Sequence, residues 1–277
     1  MPDSALGDYY DRLARWTSVV RAIGHDGGRG TLTVHRRLAD PAANGRLTTT
    51  RVHDVLAEML PDLRHPRILD AGCGLGGTLL DLVPRLGGRG IGLTLSDSQA
   101  AVARDAVRRA GLTDRIDVRA ASYDTPPSGP FDLVVAVESL AHSPDPARSV
   151  AALAGVLAPR GVLAIVDDMP EPGADATGDL AAFRQGWRCP VVWSEREFLD
   201  AFERLGLVAR DVRDLTNDVR PRGATAIATL DALNRFARRL PFDGWRTVMD
   251  SHHGGLALER LYRAGLMRYR VLTAARR

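Results

Sequence analysis

Eight residues, Asp70-Ala71-Gly72-Cys73-Gly74-Leu75-Gly76-Gly77, constrain this chain more than any other stretch. They close the run Arg67 to Ala71, which follows Pro66 and reads as a short buried strand, and they open a helical pattern. Glycines at this spacing let the backbone turn sharply and let a ligand approach it with no Cβ in the way. Strand, glycine turn and helix in that order make the first half of a βαβ unit. The pattern continues along the chain. Gly90 to Leu95, Ile116 to Ala120, Phe131 to Val137 and Val162 to Val166 read as four more strands. Pro146 to Leu157 reads as a helix with Val150, Leu153, Ala154 and Leu157 on one face, stopped by Pro159 and Gly161. Such alternation predicts a parallel sheet covered on both faces.

After residue 170 the pattern changes. Ser194 to Leu205 predicts a helix with a capping box, Ser194 and Glu197, an apolar face of Phe198, Phe202 and Leu205, and a closing Gly206. Leu207 to Val212 and Tyr269 to Ala274 read as two closing strands. The roughly 50 residues between them carry two more helical patterns and are long for a connection, so a helical cap inserted at about 214–266 is expected. Residues 1–45, rich in Arg, Gly and Tyr, read as an N-terminal lid or arm on a main domain of residues 46–277. The total of 277 residues suits one large domain with an insertion.

The glycine spacing fits two ligands. Gly72, Gly74 and Gly77 satisfy G-x-G-x-x-G, but a dinucleotide site needs an acid about 20 residues later to hold the ribose. The second strand ends Gly92-Leu93-Thr94-Leu95-Ser96, without an acid. Asp70, Gly72, Gly74 and Gly76 satisfy D-x-G-x-G-x-G, and an acid just before the glycines suits a ligand that bears an ammonium group. Together with the stretch from Thr94 through Gln99, Glu138-Ser139-Leu140-Ala141-His142 and Leu157-Ala158-Pro159-Arg160-Gly161, these residues make the chain resemble the class I S-adenosylmethionine-dependent methyltransferases. The Thr-Leu-Ser-x-x-Gln form of the second strand is typical of their small-molecule branch, which includes sterol, tocopherol and prenyl diphosphate C-methyltransferases and sugar O-methyltransferases. The likeness is strong over residues 65–170. It is weaker over Trp193 to Asp214 and Gly265 to Arg276.

The resemblance implies a Rossmann-like α/β fold with a seven-stranded sheet whose last strand is antiparallel. It implies S-adenosylmethionine as cofactor, with Gly72, Cys73 and Gly74 against the methionine end and Asp70 acting on its ammonium. Thr94, Leu95 and Gln99 would line the ribose, although Ser96-Asp97-Ser98-Gln99 is also a capping box. Ala121, Ser122 and Tyr123 would lie by the adenine, and Val137 beside the cofactor at the end of the fourth strand. Many relatives have an acid where Ala121 stands.

Acceptor chemistry is expected at the ends of the fourth and fifth strands, the usual ligand crevice of an open α/β sheet. Glu138, His142 and Asp167 are the catalytic candidates there, with Asp168 and Glu171 close by. Prenyl diphosphate C-methyltransferases carry Asn-Glu-Ser where this chain has Val137-Glu138-Ser139, and the glutamate would serve as base. Sugar and phenol O-methyltransferases typically carry His-His where this chain has Ala141-His142, with an acid at the position of Asp167. His35-Arg36-Arg37, Arg29, Arg220 and Arg222 are candidate anchors for an anionic acceptor, because arginine forks onto diphosphate. They tip the expectation toward C-methylation of a prenyl diphosphate, with Mg2+ only if the acceptor is a diphosphate. The alternative is O-methylation of a sugar or phenolic natural product through His142 and Asp167; an RNA or protein methyltransferase is remote. Tyr10 and Trp187 are further substrate-side candidates, and Phe183, Trp187 and Trp193 could wall an apolar pocket. His252-His253 read as structural, because adjacent helical histidines do not face the same way.

Composition narrows the partners. The chain has 37 basic residues against 34 acidic ones, a net charge of +3, and no lysine. All-arginine usage beside abundant Ala and Gly looks like coding bias, and no basic block with interleaved aromatics argues for nucleic acid. No stretch approaches the roughly 18 apolar residues of a membrane span. Two cysteines without metal or disulfide spacing suit a reducing cytoplasm. A small-molecule acceptor is the expected partner, and a homo-oligomer is compatible with the sequence.

Overall fold

The computed structural model describes Gly7, Tyr9, Leu32, residues 35–239 and residues 245–276. In chain order the elements are β1 Leu38–Asp40, β2 Arg46–Thr48, α1 Arg51–Met59, β3 Arg67–Ala71, α2 Gly77–Leu86, β4 Arg89–Thr94, α3 Asp97–Arg109, β5 Ile116–Ala120 and β6 Phe131–Val137. They continue with α4 Pro146–Gly155, β7 Leu157–Pro170, α5 Asp179–Trp187, α6 Glu195–Arg204, β8 Leu207–Asp214, α7 Ala224–Ala237, α8 Trp245–Arg263 and β9 Met267–Arg276.

Seven strands form one sheet in the order β5-β4-β3-β6-β7-β9-β8. The first five are parallel, and β9 runs antiparallel between β7 and β8. The sheet is the one the sequence predicts, with the antiparallel strand near the end of the chain. The strands are apolar on both faces because helices cover both. Ile68, Leu133, Val135, Ala164 and Val166 pack toward α1, α2, α3, α5 and α8. Their alternating neighbours Leu69, Val134, Ala136, Leu163 and Ile165 pack toward α4 and α6. Strand order reverses at β3, whose neighbours are β4 on one side and β6 on the other, so a crevice opens beyond their C-terminal ends.

Local signals fix several boundaries. Ser96 caps α3 by accepting from the Gln99 N–H, and Ser194 and Glu197 form the expected reciprocal box at α6. The helix expected over Pro146 to Leu157 ends at Gly155 instead, because Leu157 already pairs with Phe131. Likewise β7 runs well past the expected Val162 to Val166, since β9 pairs with it out to Pro170. No pattern in the sequence marks the β1–β2 hairpin, which spans residues 38–48, so the expected domain boundary after residue 45 falls at its tip. Helices α7 and α8 lie between β8 and β9. His252 and His253 bind Asn234 and Asp231 of α7, stapling the two helices together.

Candidate active site

The glycine loop is tied down from β4. The N–H groups of Gly72 and Cys73 both donate to the Leu93 carbonyl, at 3.0 and 2.7 Å. Gly72 has φ +94, and a Cβ there would lie 2.4 Å from the Ser139 Cβ, so only glycine lets the loop rest against β6. Asp70 is buried, its Oδ2 has no hydrogen-bond partner, and burial pushes its carboxyl up to about 7. A buried carboxylate oxygen without a donor, beside a cradle that a Cβ would fill, fits a ligand that brings its own cation.

One cavity begins at this loop. Its first half is lined by Asp70, Gly72, Cys73 and Gly74, then by Thr94, Leu95 and Gln99. Ala121, Tyr123 and Val137 complete that end. The Thr94 hydroxyl donates to Gln99 Oε1 at 2.8 Å, so the Gln99 side chain serves the cavity wall while its N–H serves the helix cap. Ser122 does not line the cavity; its hydroxyl accepts from the Asp124 N–H instead.

The second half lies beyond β6 and β7. Glu138, with φ +48, Asp167 and His142 all face it. His142 sits on a short helical turn, Leu140–His142, that Asp167 pins by accepting the Ala141 N–H at 3.3 Å. Its Nδ1 lies 3.4 Å from the Arg188 carbonyl and 3.8 Å from Cys189 Sγ; in the tautomer that donates from Nδ1 to the carbonyl, Nε2 is the acceptor atom. Burial lowers the His142 pKa to about 4, so the ring is neutral through the whole neutral range. Asp167 is raised, by burial first and by Asp168 and Glu138 next. Phe183, Trp187, Cys189 and Ser251 wall this end. The wall is fixed where α5 crosses α8: a Cβ on Gly186 would lie 2.4 Å from the Asp250 carbonyl, and the Trp187 indole N–H donates to the Ser251 carbonyl at 2.9 Å.

Four of the expected arginine anchors, Arg36, Arg37, Arg220 and Arg222, do not line this cavity. Arg36 Nη2 donates to both oxygens of Asp168, at 3.2 and 3.0 Å, and the guanidinium lies over the Tyr262 and Tyr269 rings. Burial opposes its charge, yet Asp168 holds its pKa above the ordinary value. Arg37 donates to the Leu47 carbonyl, Arg220 turns back on the Asn217 and Val219 carbonyls, and Arg222 pairs with Glu259. None of these four is among the lining residues. Each had a carboxylate or carbonyl close to it in the fold, which the sequence could not reveal. His35 does line the cavity, with burial lowering it to about 3 and its Nε2 3.1 Å from that of His53. Arg29 and Tyr10 lie outside the described residues. Tyr9 also lines the cavity and donates to the Gly186 carbonyl at 3.0 Å. Cys189 and Ser251 carried no signal in the sequence. Among the described residues no group of three His, Cys, Asp or Glu could hold a metal ion, and no helix is long and apolar enough to cross a membrane.

A family profile described as a methyltransferase domain matches residues 69–165. The methyltransferase GfsG of Streptomyces halstedii is 30% identical over 235 residues, which cover 82% of this chain and 81% of that protein. The 27-O-demethylrifamycin SV methyltransferase of Amycolatopsis mediterranei (strain S699) is 31% identical over 202 residues, 72% of this chain and 74% of that protein. A geranyl diphosphate methyltransferase solved with GPP and sinefungin superposes with a TM-score of 0.72 at 21% identity, covering 100% of this chain and 99% of that one. At that identity the last match speaks for the fold alone.

Proposed function

The chain belongs to the class I S-adenosylmethionine-dependent methyltransferases, and we propose that it methylates a hydroxyl oxygen of an uncharged, largely apolar small molecule of specialised metabolism, with His142 as the base. The observation that carries this reading is the acceptor end of the cavity. It joins a neutral imidazole to an aromatic wall, and none of the described residues that line it is an arginine. A diphosphate would meet Glu138, Asp167 and Asp168 there, and among the described residues the nearest guanidinium, that of Arg36, is already paired with Asp168. Four of the five arginines on which the prenyl diphosphate reading rested are thus engaged elsewhere, and Arg29 lies outside the described residues. The relative named for a 27-O-demethyl compound points the same way.

S-adenosylmethionine supplies a methyl group already activated on a sulfonium sulfur. The protein's own work is positioning, exclusion of water and removal of one proton. Asp70 would take the ammonium, Thr94 and Gln99 the ribose, and Ala121 and Tyr123 the adenine. His142 Nε2 would accept the hydroxyl proton as the oxygen attacks, while Asp167 holds the turn that carries it. The His142 ring starts this step in the neutral form that can accept a proton, and the carboxylates of Glu138 and Asp167 on the same cavity wall would favour the imidazolium that burial alone opposes.

Two measurements test the reading. Labelled S-adenosylmethionine is offered with 2-naphthol, a neutral hydroxysteroid and geranyl diphosphate. Transfer to a neutral hydroxyl should exceed transfer to geranyl diphosphate at least tenfold in kcat/KM; the reverse order returns the enzyme to C-methylation of an isoprenoid, as the geranyl diphosphate neighbour would suggest. The second measurement is cofactor affinity against pH. The ammonium needs Asp70 ionised, and the carboxyl sits at about 7 in the free protein. Below that pH a proton must leave on binding, so the dissociation constant should rise about fivefold from pH 7 to pH 6, about tenfold from pH 8 to pH 6, and be nearly flat above pH 8. In the free protein the sign is opposite. Asp70 is raised, so the folded state keeps a proton that the unfolded state has lost, and stability falls as pH climbs from about 4 to about 7. Equal affinities at pH 6 and pH 8 would remove Asp70 from the cofactor site.

A further inference from the structure

Three carboxylates floor the acceptor end, and five of their six oxygens already have donors. Asp167 takes the Asp168 N–H on Oδ1 at 2.9 Å and the Ala141 N–H on Oδ2 at 3.3 Å. Asp168 accepts from Arg36 Nη2 on both oxygens, and the Tyr262 hydroxyl donates to its Oδ1. Glu138 Oε1 accepts twice, from the Arg36 backbone N–H at 2.9 Å and from the Tyr269 hydroxyl at 2.8 Å. No group among the described residues donates to Glu138 Oε2, on a half-buried side chain that lines the cavity.

The bracing is reciprocal. Arg36 gives its backbone to Glu138 and its guanidinium to Asp168, and that guanidinium lies 4.9 Å from the Tyr262 ring centre and 5.7 Å from that of Tyr269. The two tyrosines give one hydroxyl to each carboxylate. Glu138 is thus held by one oxygen, on a left-handed backbone, with its other oxygen left for something in the cavity. A carboxylate oxygen partly withdrawn from water is a strong acceptor for an O–H. The reacting hydroxyl does not supply that O–H, because its single proton goes to His142.

We propose that Glu138 Oε2 receives a second hydroxyl of the acceptor, adjacent to the one that is methylated, and that Arg36 and Tyr269 are positioning residues for it. The acceptor class is then an uncharged molecule with two neighbouring hydroxyls. Glu138 keeps its hydrogen bond throughout, and no proton moves to it. This rests on the hydroxyl-acceptor reading above.

The test uses the enzyme saturated with S-adenosylhomocysteine and two probes that suit the aromatic wall of Phe183 and Trp187, 2,3-dihydroxynaphthalene and 2-naphthol. Calorimetry should give the diol at least tenfold tighter binding. Glu138→Gln and Tyr269→Phe should each cut that preference below threefold, with affinity for 2-naphthol and S-adenosylhomocysteine within twofold of wild type. A purely structural role for Tyr269 would weaken both probes together and overturns the proposal. So does a wild-type preference below threefold, including binding of neither probe, or a preference that survives Glu138→Gln. Methyl transfer to 2-naphthol without a diol preference leaves the hydroxyl-acceptor reading standing and removes only this inference. Transfer to geranyl diphosphate alone removes both.

Discussion

Alanine at position 72 should weaken S-adenosylmethionine binding by about two orders of magnitude. The substitution meets two obstacles. Gly72 has φ +94, where an L residue carries roughly 1–2 kcal/mol of steric strain. The added Cβ would lie 2.4 Å from the Ser139 Cβ and 3.0 Å from its Oγ. Neither side yields easily. Ser139 donates its hydroxyl to the Ala71 carbonyl at 2.6 Å and accepts the Tyr123 hydroxyl on its own carbonyl at 3.0 Å. The loop is held by two N–H bonds to Leu93. Overpacking of this kind typically costs about 1–3 kcal/mol. The combined cost of roughly 2–5 kcal/mol divides between stability and the cofactor, and because Gly72, Ser139 and Tyr123 all line the cavity, any relaxation moves the binding surface. Calorimetric titration of Gly72→Ala reads the effect directly. A dissociation constant within threefold of wild type, on a protein with native Tm, would show that the loop is only a turn. Ser139→Gly offers a check on cause: it removes the atom that collides, so in the double variant the two losses should be markedly less than additive.

The core of this site was legible because its chemistry is local. A strand, three spaced glycines and the acid before them lie within the ten residues 67–76, and the backbone alone then places Asp70, Gly72 and Gly74 at the mouth of a crevice. The sheet was legible for a related reason. Its strands are covered on both faces, so each is a continuous apolar run such as Phe131 to Val137. The acceptor end was not, because its contacts are long-range. Arg36 was expected to meet a phosphate, but Asp168, Tyr262 and Tyr269 reach it from strands and a helix far along the chain. Nothing in the sequence marks Tyr269 as a donor to Glu138, 131 residues away. The α5 and α8 crossing depends on Gly186 meeting a backbone carbonyl 64 positions later at Asp250, a contact without periodicity to betray it. Tyr9 shows the same limit at single-residue scale: its hydroxyl reaches the Gly186 carbonyl 177 residues away, and no local pattern marks that contact.

His142→Ala should lower kcat by about 10²–10⁴-fold at saturating cofactor, the usual worth of a positioned general base, while S-adenosylmethionine affinity stays within twofold. The separation follows from geometry. His142 lies at the acceptor end, on a turn beyond β6, and none of the glycine-loop hydrogen bonds involves it. Adding imidazole to the variant should restore part of the rate, which a merely structural loss would not allow. The pH profile gives a second discriminator. With its pKa near 4, the His142 ring is already neutral at pH 5, so kcat at saturating cofactor should be flat from about pH 5.5 to pH 8. The fall below pH 7 should appear in the cofactor KM instead, where Asp70 acts. Asp167→Asn should cost less, about 5–20-fold in kcat, because an amide has one oxygen for the two N–H groups that Asp167 now holds, and the turn loosens without losing the imidazole. The opposite ranking has a definite meaning. Methylation of an alkene carbon generates a carbocation that must lose a proton to a nearby carboxylate, and a hydroxyl acceptor asks for no such group. If Glu138→Gln crippled catalysis more than His142→Ala, the carboxylate and not the imidazole would be the base, and the methylated atom would be carbon.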